Sequence, residues 1–274
     1  EAYPGRVIDV GIAEAEAVAS AAGMAYQGAH PVVALYATFL NRGFDQLLMD
    51  VALHRAGVTV VLDRAGVTGA DGASHNGVWD IAMCSMIPGL RLAAPRDEET
   101  LRARLREALD VDDAPTVIRY RKGALPEPMP ALRSVGGVDI LFDEAVADSS
   151  ARVLIVGTGA CAPGAIEAAR RLAADGVSVT VADPQWMIPI CPDLATLARD
   201  YDCVVSVEDG IVQGGFGWSL RDAVAEAGVP VRCLGVPQGF PEHGDRAAMI
   251  AQFGFDADGI ERAARGLVER VGKR

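Results

Sequence analysis

Residues 58–62 read Val-Thr-Val-Val-Leu, and a run so nearly apolar on both alternating faces fits a strand that is covered on both sides. Such strands belong to parallel sheets, whose neighbours need a crossover helix between them. Similar short apolar runs fall at 6–10, 32–36, 90–94 and 116–120. Helical periods lie between them at 13–26, 44–55 and 98–109. This alternation predicts a parallel α/β sheet.

The rhythm breaks at 121–137, where Pro126, Pro128 and Pro130 sit close together and the text reads as an extended linker. It then resumes. Runs at 153–156, 177–182, 204–207 and 231–234 predict strands, and 163–174, 192–199, 216–227 and 256–271 predict helices. The expectation is an α/β fold of two domains, each with a parallel sheet that turns mixed at its edges. The first spans 1–122, a Pro-rich linker spans 123–137, and the second spans 138–274. Val156-Gly157-Thr158-Gly159-Ala160-Cys161-Ala162 imitates a dinucleotide-binding loop, with Asp183 after the next strand. Ala162 holds the third glycine position, so the pattern is met only in its weaker form.

A chain of 274 residues, half of them hydrophobic, can build two cores of ordinary size. Its net charge of −12 argues against nucleic acid or an anionic membrane as a partner. The odd, scattered set Cys84, Cys161, Cys191, Cys203 and Cys233 suits a reducing, cytoplasmic location better than a disulfide framework or a zinc site. No apolar run is long enough to span a bilayer, and the opening text resembles neither a signal nor a transit peptide.

Two stretches carry chemistry. In Asp9-Val10-Gly11-Ile12-Ala13-Glu14 an apolar run breaks at a glycine and restarts as an Ala-rich helix, with Glu14 in its first turn. A carboxylate at such a corner can be aimed into a cleft. The helix dipole alone also favours an acid there. The second stretch, Asp63 to His75, gathers Gly66, Gly69, Gly72, Arg64, Asp71 and His75 behind the 58–62 strand.

With PVVALYATFLNRGFDQ, LAAPRDEETL, VSVEDGIVQGGFG and PEHG, these stretches resemble, in order and over nearly the whole chain, the 1-deoxy-D-xylulose-5-phosphate synthases of the transketolase family. The resemblance implies a pyrimidine-binding domain followed by a transketolase C-terminal domain. It implies condensation of pyruvate with glyceraldehyde 3-phosphate to 1-deoxy-D-xylulose 5-phosphate and CO2, a precursor for isoprenoids. The implied cofactors are thiamine diphosphate and Mg2+. Glu14 matches the family's acid beside the cofactor's aminopyrimidine, and Phe39 its stacking aromatic. Asp71 and His75 match the pair that meets donor and acceptor. Tyr36, Arg42, Arg64 and Lys122 match acceptor and phosphate positions. His30 and His54 are expected to be structural or exposed.

There are departures. Family text reads Glu-Gln-His where this chain has Glu14-Ala15-Glu16, and arginine is usual at position 122. The GDG…N segment that holds Mg2+ and the diphosphate is expected on a domain absent from this chain. The first strand and helix of the pyrimidine domain are likewise expected ahead of Glu1. The chain would then act as a homodimer, with the Ala-rich 13–26 helix and the GGFG segment as close-packing faces, or with a separate diphosphate-binding chain. Alternatives are the β-type subunit of a 2-oxo-acid dehydrogenase and a divergent, transketolase-like subunit with altered substrate or no catalysis.

Overall fold

The computed structural model of the chain describes residues 3–272, so the outermost two residues of each expected domain lie outside it. The first sheet is built from β1 (Val32–Tyr36), β2 (Thr59–Asp63), β3 (Arg91–Ala93) and β4 (Thr116–Arg119), in the order β1-β2-β4-β3. All its pairings are parallel. Val58, Val60 and Leu62 are fully buried, as an apolar run in a covered sheet requires. The register pairs Tyr36 with Asp63 and Leu62 with Arg119. The chain therefore leaves β1, β2 and β4 at one level, along one edge.

Helices α1 (Glu14–Ala25) and α4 (Glu98–Leu109) fall within a residue of expectation. Helix α4 opens with a capping box, in which Asp97 Oδ1 accepts from Thr100 N at 2.9 Å. The expected 44–55 helix begins as α2 (Phe44–Gln46) and widens into a π-helical stretch, Leu47–Ala52. Ala56 N reaches Val51 O there at 2.9 Å, five residues back. A short helix, α3 (Asp80–Ser85), was not expected. The run at 6–10 is not a strand. Val7 and Ile8 are 87% and 64% exposed, and the segment joins neither sheet. The corner at Gly11 is a turn, closed by Gly11 N donating to Asp9 Oδ1 at 2.8 Å, with Gly11 at φ +67°.

The second sheet contains β5 (Arg133–Val135), β6 (Val138–Glu144), β7 (Arg152–Gly157), β8 (Ser178–Pro184), β9 (Cys203–Ile211) and β10 (Val231–Val236). Its order is β10-β9-β7-β8-β6-β5, parallel except at β5 and β6. Strand β5 lies inside the expected linker. The pair Gly136-Gly137, with Gly136 at φ +55°, turns it back onto β6 as a two-residue hairpin. Around the sheet pack α5 (Ala162–Ala174), α6 (Pro192–Ala198), α7 (Phe216–Ala223), α8 (Arg246–Phe253) and α9 (Ala257–Val271). Helix α8 was not expected, although Asp245 caps its start and Gly254, at φ +75°, closes it.

One buried cluster crosses from the first sheet to the second, through Leu92, Met187, Ile188 and Val138. Backbone bonds reinforce it, with Met187 N to Leu92 O at 2.7 Å and Leu92 N to Ile188 O at 2.9 Å. The loop that imitates a dinucleotide site belongs to this seam. A Cβ on Gly159 would lie 2.7 Å from Ala94 O, and one on Gly157 would lie 2.6 Å from Ala165 Cβ. Asp183 is buried and paired with Arg96 Nη1 at 3.1 Å, so it is not free to meet a ribose.

Candidate functional site

The candidate residues converge on the edge where β1, β2 and β4 end. Strand β1 ends at Tyr36 and runs into a 3-10 turn, Ala37–Arg42, that carries Phe39 and Arg42. The turn lies tight against α1, and a Cβ on Gly43 would come within 3.2 Å of Glu14 O. That approach brings Arg42 to Glu14, with Nη1 3.3 Å from each carboxylate oxygen. The Glu14 side chain is 11% exposed, whereas Glu16, on another face, is exposed. The Arg42 guanidinium also lies 4.4 Å from the centroid of the Phe39 ring.

From Phe39 the contacts divide. Its ring stacks on Tyr36 at 6.1 Å and meets His75 edge-on at 5.4 Å. Arg64 covers Tyr36 at 4.1 Å and reaches Asp71 at 3.9 Å. Lys122 Nζ donates to both Asp71 oxygens, at 2.7 and 2.9 Å. That bond, with the charges of Lys122, Arg64 and His75, holds the Asp71 carboxyl below the usual carboxylate range. Every candidate residue is thus in one unbroken set of contacts from Glu14 to Lys122. Arg64 is held at φ +59°, a left-handed conformation rare for a non-glycine residue. Ser74 Oγ lies 2.9 Å from His75 Nδ1.

His30 and His54 stand outside the set. His30 Nε2 bonds Thr59 Oγ1 at 2.8 Å, and His54 packs edge-on against Tyr26 at 5.6 Å.

Residues far along the chain hold the 66–76 loop in place. Asp209, on β9, accepts from Val67 N at 3.0 Å and from Arg246 Nη2 at 2.9 Å. Arg246 Nε donates to Val67 O at 2.9 Å. Glycine is required at 66 and 69. A Cβ on Gly66 would fall 2.1 Å from Asp209 Oδ2, and one on Gly69 would fall 2.7 Å from Gly244 O. Asn76, fully buried, accepts from Thr68 N at 2.9 Å and donates to Gly72 O at 3.0 Å. Beneath the loop, Arg119 Nε donates to Asp80 Oδ2 at 2.7 Å, and Arg119 Nη2 donates to Asp209 O at 2.8 Å.

Glu208, beside Asp209, is wholly buried. It accepts from Phe216 N at 2.8 Å and Gly217 N at 2.9 Å, capping α7. Burial pushes its carboxyl up to about 7, against the pull of those two amides. Two of the GGFG glycines, Gly215 and Gly217, pack inside the domain. A Cβ on Gly215 would lie 2.3 Å from Glu208 Oε2, and one on Gly217 would lie 2.3 Å from Ser206 Oγ. Behind the seam Arg96 serves two carboxylates, Asp139 at 2.8 Å and Asp183 at 3.1 Å, and burial pushes Asp183 up to about 7. All five cysteines are free.

Residues 1–128 match the family model for the transketolase pyrimidine binding domain, and residues 144–260 that for the transketolase C-terminal domain. The chain is 51% identical over 273 residues to a 1-deoxy-D-xylulose-5-phosphate synthase of Corynebacterium glutamicum (strain R), covering 98% of this chain and 43% of that protein. It is 53% identical over 272 residues to 1-deoxy-D-xylulose-5-phosphate synthase 2 of Kitasatospora griseola, with the same coverage of 98% and 43%. The chain spans less than half the length of these curated relatives. Among solved structures it resembles a split gene transketolase described as an inactive beta4 tetramer. The TM-score is 0.83 at 27% identity, covering 98% of this chain and 85% of that one. It also shares its fold with a transketolase from Leishmania mexicana, with a TM-score of 0.77 at 22% identity over 95% of this chain and 38% of that one.

Proposed function

The chain belongs to the transketolase family, carrying its pyrimidine-binding and C-terminal domains, and from that premise we propose that it forms the pyrimidine half of a 1-deoxy-D-xylulose-5-phosphate synthase. The reaction is condensation of pyruvate with glyceraldehyde 3-phosphate, with loss of CO2. The observation that carries this reading is the unbroken contact set from Glu14 to Lys122 along one sheet edge.

A mostly buried carboxylate two contacts from an aromatic face is the donor set that a protonatable aminopyrimidine needs, so these residues fit thiamine diphosphate. When bound, that cofactor supplies the electron sink for decarboxylating a 2-oxo acid. Glu14 would hold a proton shared with the ring nitrogen, and Phe39 would support the ring. Arg64 and Lys122 form the local positive field that a phosphorylated aldehyde requires in an acidic protein. In the structure both cations are turned to Asp71, and the substrate phosphate must compete with that carboxylate for them. His75 lies against Phe39 and near Asp71, and in this reading it would exchange a proton with a carbonyl oxygen. Among the described residues no group of three or more His, Cys, Asp or Glu could hold a metal ion. We assign Mg2+ and the diphosphate to a further domain, in the same or a second chain, and place the enzyme in the cytoplasm as a homodimer or such a complex. No helix among the described residues is long and apolar enough to cross a membrane.

The likeness to a split gene transketolase chain, covered over 85% of its length, favours the second-chain arrangement as an alternative to one longer polypeptide. The loop with Arg64, Asp71 and His75 favours the synthase over a 2-oxo-acid dehydrogenase subunit. Turnover of pyruvate and glyceraldehyde 3-phosphate, with the diphosphate-binding domain supplied, tests the proposal. Product should form only when thiamine diphosphate is present. Release of CO2 without use of the aldehyde would overturn the synthase reading.

A further inference from the structure

The second domain has a groove of about 380 Å3 between β10, the end of α8 and α9, lined by none of the candidate catalytic residues. Arg232, Arg262 and Arg270 surround it, and no acidic side chain lines it. In a chain of net charge −12 this is a local reversal of sign. Neighbouring arginines behave differently. On α9 itself Arg265 pairs with Glu261 at 2.8 Å, and on α5 Arg171 pairs with Asp258 at 2.6 Å. Among the described residues, none of the three groove arginines lies within ion-pair distance of a carboxylate, whereas these neighbours are paired.

The helix is shaped to suit an anion. Arg262, Gly266 and Arg270 are spaced i, i+4, i+8 and share one stripe of α9. Glycine is the poorest helix former after proline. No packing demands it at 266, because a Cβ there would meet nothing within 4 Å. Its effect is open space on the helix between Arg262 and Arg270, in a groove that Phe253 and the closing turn at Gly254 also line.

We propose that this groove binds a small, multiply charged phosphate ester, held by guanidiniums from β10 and α9 with its organic part against Phe253. The inference is independent of the proposed function. The test is calorimetric titration of the 274-residue chain with inorganic pyrophosphate. The background variant is Arg64→Ala with Lys122→Ala, which silences the candidate phosphate contacts on the first sheet. Binding should persist in that background. Adding Arg262→Gln and Arg270→Gln should weaken it about tenfold or more, the loss of two charge-assisted contacts. Gly266→Leu, which fills the gap, leaves the charge unchanged and favours the helix, should also weaken it while the melting temperature holds. Absence of binding in the background variant, or an affinity unchanged by either set of groove substitutions, would overturn the proposal.

Discussion

Glutamine at position 14 keeps the shape of the glutamate and loses its charge. Glu14→Gln in an assembled enzyme is expected to lower kcat at least about 100-fold with the fold unchanged, as for loss of a general acid or base. Steady-state kinetics beside a circular dichroism melt would show it, and retention of most activity would remove Glu14 from its role. Arg64→Ala and Lys122→Ala are expected to raise KM for glyceraldehyde 3-phosphate far more than for pyruvate. Each charged contact contributes about 1.5–3 kcal/mol. Equal effects on both substrates would detach these cations from the acceptor. Glu208 has a stability signature. Its folded value of about 7 lies above its ordinary 4.5, so the native state holds the proton more tightly. Its contribution is full below pH 4.5 and is lost as pH rises to about 7, a loss of about 3 kcal/mol. Glu208→Gln should flatten the stability profile across that window in denaturant titrations. An unaltered profile would mean that burial does not raise the Glu208 carboxyl.

At the scale of elements, the loop that carries Asp71 and His75 is held by a different domain from its own. Asp209 on β9 and Arg246 at the head of α8 bracket Val67 on both its amide and its carbonyl. Arg246→Ala leaves Asp209, only 2% exposed, without that cation. The expected cost is about 3 kcal/mol or more. Faster amide exchange at residues 67–69 should accompany it, and exchange at the wild-type rate would refute the clamp. This clamp was not legible in the sequence, because its partners are 142 residues apart and no local pattern encodes the pairing. Local pattern did locate α1, α4 and the central strands, where burial on one face or both imposes a period. It failed at 6–10, where apolar text has no strand beside it, and at β5, where a two-glycine hairpin lies within proline-rich text. Helix α3 is too short to show a period. Asp245 and Gly254 did mark α8 and were the signals to use. Of the site, residue identities came from family-like text. The contacts of Arg42 with Glu14 and Phe39, and of Lys122 with Asp71, came only from the fold.

For the whole molecule, the proposed function makes these residues one half of a cofactor site. A diphosphate is held chiefly through a metal clamp; none is formed by the described residues, and away from the arginine groove of the second domain a chain of net charge −12 should repel it. The measurement that tests this is calorimetric titration of thiamine diphosphate with Mg2+ into the 274-residue chain carrying Arg262→Gln and Arg270→Gln, which silence the groove of the second domain, alone and then with the diphosphate-binding domain. Weak or undetectable binding is expected alone, and stoichiometric binding with the domain. A tight, stoichiometric isotherm from the chain alone, or none with the domain present, would contradict the half-site.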